Sequence, residues 1–114
     1  MEKDDRQLLL TTAWLFARHG QSSRARVLCE ALVEDDPTDG VSAAALAELL
    51  LSEGEAAPAL AVLAAAKFPN SLRRAEALLE TRALQMLGRR NDAELRWARY
   101  VASSKGRNRT WVAQ

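Results

Sequence analysis

Three glycines, Gly20, Gly54 and Gly88, stand 34 residues apart, and an alanine follows each of them by five positions, at Ala25, Ala59 and Ala93. An interval that recurs twice means that each unit buries its apolar face against a copy of itself. Set on those anchors, Phe16, Leu50 and Leu84 share a register, as do Ala13, Ala47 and Thr81. So do Cys29, Leu63 and Trp97, and finally Leu32, Ala66 and Tyr100. Each Gly falls where a helix must close, because it takes the left-handed conformation without steric cost. Each Ala falls early in the next helix, at the closest approach of the pair, where a larger side chain would push the backbones apart. Ala13 with Phe16, and Ala47 with Leu50, supply the i, i+3 stripe that packs on it.

Composition agrees. The 114 residues include 22 Ala and 18 Leu but no Ile, six Val, three Trp, two Phe and one Tyr. Ala and Leu are strong helix formers, and the β-branched and aromatic residues that cover a pleated face are scarce. The expectation is an all-α chain, one domain over 1–114 with repeats at about 6–39, 40–70 and 71–103 and a polar, frayed tail at 104–114. A 34-residue period of two antiparallel helices resembles the tetratricopeptide repeat, which implies three hairpins stacked in a short right-handed solenoid.

Capping and breaker signals place helices at about 6–19, 22–35, 40–53, 55–67, 72–87 and 90–103. Pro37 ends the second helix, and Thr38 or Asp39 caps the third. Phe68-Pro69-Asn70-Ser71 is expected to do the same for the fifth. Pro58 falls in a first turn, where its missing N–H costs nothing. The middle repeat departs from the others: Ala43 stands where a large residue often begins the first helix, and Pro69 comes two residues early relative to Pro37.

Bulk properties argue against several functions. A formal charge of +1 lacks the basic excess that a nucleic-acid binder uses to displace counterions. Cys29 and His19 are each the sole residue of their kind, so neither an internal disulfide nor a zinc site of ordinary spacing is expected. The charged start, Met1 to Arg6, followed by only Leu8-Leu9-Leu10, resembles neither a signal peptide nor a membrane span, and the chain reads as cytosolic. Glu34-Asp35-Asp36 with Asp39 reads as a solvated turn with a cap rather than a cation loop. Cys29 reads as core rather than nucleophile, and His19 as a helix-end residue rather than a catalyst. Lys105, Arg107 and Arg109 beside Trp111 are too few for a nucleic-acid element; Trp111 and Val112 are expected to fold back over the last helix pair. No catalytic residue, metal or cofactor is expected.

The concave surface carries the functional signal. Helical spacing puts Gln7, Leu10, Trp14, Ala17 and Arg18 of the first repeat on it, then Val41, Ala44, Glu48, Leu51 and Ser52, and then Ala75, Leu78, Arg82, Gln85 and Met86. Leu10, Trp14, Val41, Leu51, Leu78 and Met86 would form an apolar track too large to leave exposed on a monomer. A register slipped by one residue would instead bury Trp14. As a groove, the surface would accept an amphipathic helix or extended apolar segment, with Trp14 as anchor and Arg18, Glu48 and Arg82 as rim charges.

Leu8-Leu9-Leu10, Trp14-Leu15, Gly20, Arg24-Ala25, Leu28, Ala31-Leu32 and Pro37, with Leu87-Gly88, Asp92-Ala93 and Arg99-Tyr100, resemble the small type III secretion chaperones of the YscY/SctY family over about residues 7–102. The resemblance implies a bacterial cytosolic chaperone that binds a small secreted protein of the YscX/SctX type and engages the export-gate protein SctV. It carries a binding role to Leu10, Trp14 and Ala17, and brings no catalytic residue, cofactor or membrane insertion. Co-chaperones of the needle subunit (YscG-like), translocator chaperones and general tetratricopeptide scaffolds share the same physics. Scaffolds that dock acidic carboxyl-terminal tails need Lys and Asn where this chain has Leu10, Trp14 and Ala44.

Overall fold

Gly20, Gly54 and Gly88 take φ of 77°, 81° and 77°, and each closes a helix in the same way. The N–H one residue past the Gly reaches back to the carbonyl of Phe16, Leu50 or Leu84, at 2.8, 2.8 and 2.9 Å. The glycine N–H itself donates to Ala17, Leu51 or Gln85. These paired bonds satisfy carbonyls that a helix end leaves open, and they need a left-handed residue at that position.

The computed structural model describes residues 1–112. It is all-helical: α1 (Lys3–Arg18), α2 (Ser22–Asp35), α3 (Gly40–Ser52), α4 (Ala56–Ala65), a 3₁₀ turn (Asn70–Leu72), α5 (Arg73–Met86) and α6 (Arg90–Val112). Among the described residues there is no strand, only an isolated bridge between Asp39 and Lys67. α1 packs on α2, α3 on α4 and α5 on α6; α2 also meets α3, α4 meets α5, and α3 meets α5. The three-residue connections at Gly20, Gly54 and Gly88 turn each pair back on itself.

One core runs from Ala13, Ala25 and Cys29 through Leu46, Ala47, Leu50, Ala59 and Leu63 to Leu79 and Ala83. Ala25 and Ala59 are fully buried and Ala93 nearly so, where the paired helices approach most closely. Cys29 lies in this core, and burial, then the charge of Glu30, pushes its thiol above the usual range. That is the environment of an inert structural cysteine.

Four boundaries differ from expectation. α1 begins at Lys3 rather than near residue 6. α4 stops at Ala65 rather than near 67: Ala66 is extended, and the Lys67 N–H donates to the Thr38 carbonyl at 2.9 Å. The chain thus leaves α4 to run beside the α2–α3 connection, and Ala66, placed by register with Leu32, lies outside the helix. No side chain caps α5; the 3₁₀ turn feeds it instead, with Leu72 at the cap position. α6 continues past 103 to Val112, so within the described residues the backbone does not turn back over the last pair at Trp111. No proline interrupts it, and Gly106 costs a helix interior only about 1 kcal/mol.

Candidate functional site

Trp14 is 55 % exposed, on the side of α1 turned away from Ala13 and Phe16. Ala13 is buried and Phe16 packs on the core, so the register is the one that leaves Trp14 outside. Arg18, one turn on, lays its guanidinium 4.7 Å from the Trp14 ring centroid. This cation–π contact orients the indole without covering it.

Seven of the other expected groove residues, Gln7, Leu10, Val41, Glu48, Leu78, Arg82 and Gln85, line two recesses. Lys3, Gln7, Leu10, Val41 and the Arg6–Asp39–Ser42 cluster line one of about 190 Å³ between α1 and α3. Glu48, Leu78, Leu79, Thr81, Arg82, Gln85 and Trp97 line a second, of about 540 Å³. Trp14 and Arg18 line neither. Val41, Leu78 and Met86 are substantially exposed, Leu10 and Ala75 are half-buried, and Gln7, Ala17 and Ser52 are exposed. Leu51 corrects the expectation: at 2 % exposure it belongs to the core. Ala44 is half-buried and packs on the core. α3 touches α2, α4 and α5, so more of its circumference is covered than helical spacing alone indicates.

The rim charges are partly engaged with one another. Arg82 Nη1 donates to Glu48 Oε1 at 3.1 Å across α5 and α3. Glu48 and Arg82 occupy the register position of Trp14, so one inner position carries Trp, Glu and Arg along the three units. Both partners are about half exposed, and such a pair exchanges readily for a ligand's charge.

Several polar clusters had no signature in the spacing. Arg6 Nη1 donates to Asp35 at 2.7 Å, and Nη2 to Asp39 at 2.7 Å and to the Leu32 carbonyl at 3.2 Å. Asp39 also accepts from the Val41 and Ser42 amides and from the Ser42 hydroxyl, so the acidic turn is a tied junction. Arg26 bonds Glu30, Glu53 and Glu55, joining α2 to the α3–α4 turn, and these carboxylates raise its pKa further. Arg96 donates to Glu80 at 2.8 Å. Beside that pair, burial and then Glu80 raise the Glu76 carboxyl above its usual range. His19 is the C-cap residue of α1 and exposed. Lys105, Arg107, Arg109 and Trp111 lie where side chains are outside the description.

The Cys29 thiol is buried, and the exposed features around Trp14 are an indole, aliphatic side chains and paired charges. Among the described residues no helix is long and apolar enough to cross a membrane. No family model and no curated protein matches the chain.

Proposed function

We propose that the three helix pairs are tetratricopeptide-type repeats stacked in a short right-handed solenoid, and that the chain is a cytoplasmic chaperone of the YscY/SctY type. In this reading it holds a small secreted export component of the YscX/SctX kind on its concave side and helps deliver it to the export gate, SctV. The repeat reading is supported by the identical closure at three glycines and the buried Ala five residues after each. The exposed Trp14 carries the binding reading. A large indole left outside by folding, held by Arg18 and accompanied by Val41 and Leu78, is the anchor chemistry that an amphipathic helix docks upon. The two recesses would take its flanking apolar residues.

Co-expression with a YscX/SctX-type protein, followed by calorimetry on wild type and Trp14→Ala, tests this. The variant should bind at least about 2 kcal/mol more weakly while its unfolding midpoint moves by less than that. Equal loss of folding and binding would make Trp14 a structural residue. No complex with wild type would remove the chaperone assignment.

A further inference from the structure

The junction between the first two units is clamped by Arg6, whose guanidinium holds Asp39, the N-cap of the next unit's first helix, at 2.7 Å. The 34-residue register places a copy of each half of this clamp elsewhere. Arg74 lies two repeat lengths beyond Arg6, and Asp5 one repeat length before Asp39. The clamp is not repeated between the second and third units, since Gly40 stands at the arginine position and Arg73 at the aspartate position. Arg74 and Asp5 are both exposed, and neither has an ion-pair partner among the described residues.

Apolar residues at the same two places follow the same pattern. Leu8 and Leu15 on α1 are 66 % and 46 % exposed; at the corresponding places Ser42 and Ala83 are buried, and Leu49 and Glu76 half-buried. On α6, Trp97 and Tyr100 are half-buried, their rings 5.2 Å apart, while Cys29, Leu32 and Leu63 at those positions are fully buried. α3 covers α2, and α5 covers α4; among the described residues no following helix covers α6 on its side away from α5, and no preceding one covers the matching face of α1. Charge follows the same direction. Residues 1–39 carry eight carboxylates and five basic side chains, and residues 71–104 four and seven.

We propose that copies of this chain associate head to tail, α1 of one copy covering α6 of the next as α3 covers α2, with Asp5 on Arg74 in place of Asp39 on Arg6. Leu8 and Leu15 then meet Trp97 and Tyr100, and the acidic first unit faces the basic third. The contact joins two different faces, so it does not close at a dimer and grows with concentration. It does not use Trp14, and it meets the two recesses only at Trp97, which also lines the second of them.

Sedimentation equilibrium over a concentration series, on wild type, Arg74→Asp, Asp5→Arg and the double variant, tests the pairing. The average mass of wild type should rise without a plateau at the dimer. Each single reversal should weaken association about tenfold, and the double variant should recover to within about twofold of wild type. Both positions are exposed, and matching circular dichroism spectra check that all four proteins fold. Mixing Leu8→Glu with Trp97→Glu, each crippled on one face only, should yield a 1:1 dimer that neither forms alone. A wild type that stays monomeric, a mass that levels at the dimer, or a double variant no tighter than the singles would overturn the proposal.

Discussion

The Arg6 guanidinium, on the first helix, closes the N-terminus of the third: it holds the Asp39 carboxylate at 2.7 Å while that carboxylate accepts from the Val41 and Ser42 amides. Partial burial works against the Asp39 charge, but the bonds from Arg6 and Ser42 prevail and hold its carboxyl below the usual range. A carboxylate depressed in the folded state stabilises the fold above its unfolded value, about 3.9, and loses that contribution as pH falls through the folded value. Arg6→Met should cost about 1–2 kcal/mol at pH 7, because Asp39 is then left half-buried with a charge and no cation. Urea midpoints of both proteins should differ by a constant amount from pH 7 to 5 and converge only below about pH 4.

Gly40 opens α3 where the chain leaving α4 presses closest. A Cβ built there would stand 2.7 Å from the Lys67 carbonyl oxygen and 3.2 Å from the Phe68 Cα, both backbone atoms that cannot step aside. Gly40→Ala should therefore destabilise by about 1–3 kcal/mol, although alanine is the better helix former. At Gly54 a Cβ meets nothing within 4 Å, and the obstacle is its φ of 81°. Gly54→Ala should cost about 1–2 kcal/mol, and Gly54→Asn less, since asparagine tolerates the left-handed region. Thermal or urea unfolding of the three variants separates a collision from backbone strain.

Ala59 and Ala93 share a register position but not a neighbourhood. Ala59 is fully enclosed in the core, whereas Ala93 borders a recess of about 240 Å³ that it lines with Thr81 and Trp97. Ala59→Leu should cost about 1–3 kcal/mol through overpacking, and Ala93→Leu less, because the added atoms can turn into the recess. Urea midpoints decide it; equal losses would mean that the third pair is packed as tightly as the second.

The positions that the sequence disclosed are those where the backbone itself sets a requirement. A left-handed turn and a close helix approach each demand one residue type, so Gly20, Gly54, Gly88 and the alanines after them recur visibly. Asp39 was legible as a cap for the same reason. Arg6 was not: its partners lie 26 to 36 residues away, and an arginine on a helix surface looks alike whether solvated or clamped. Pro69, two residues early, was the trace of a shortened α4, but the extended course of Lys67 beside Thr38 is a tertiary contact with no local signature. Leu51 was misplaced because helical spacing gives the phase of α3, not how many neighbours surround it.

Thr81 sits at the register position of Ala13 and Ala47, and its Oγ1 is buried with no hydrogen-bond partner. A hydroxyl removed from water and left unpaired costs about 1–3 kcal/mol relative to a satisfied one, so this position detracts from the third pair. Thr81→Val keeps the branched shape and deletes only the oxygen. It should stabilise the protein by about 1 kcal/mol, read as a rise in the urea midpoint with no change in slope. Thr81→Ala gains helix propensity but surrenders methyl packing beside the recess that Thr81 shares with Trp97, and should fall between wild type and Thr81→Val. If both variants are less stable than wild type, the hydroxyl has a partner in solution.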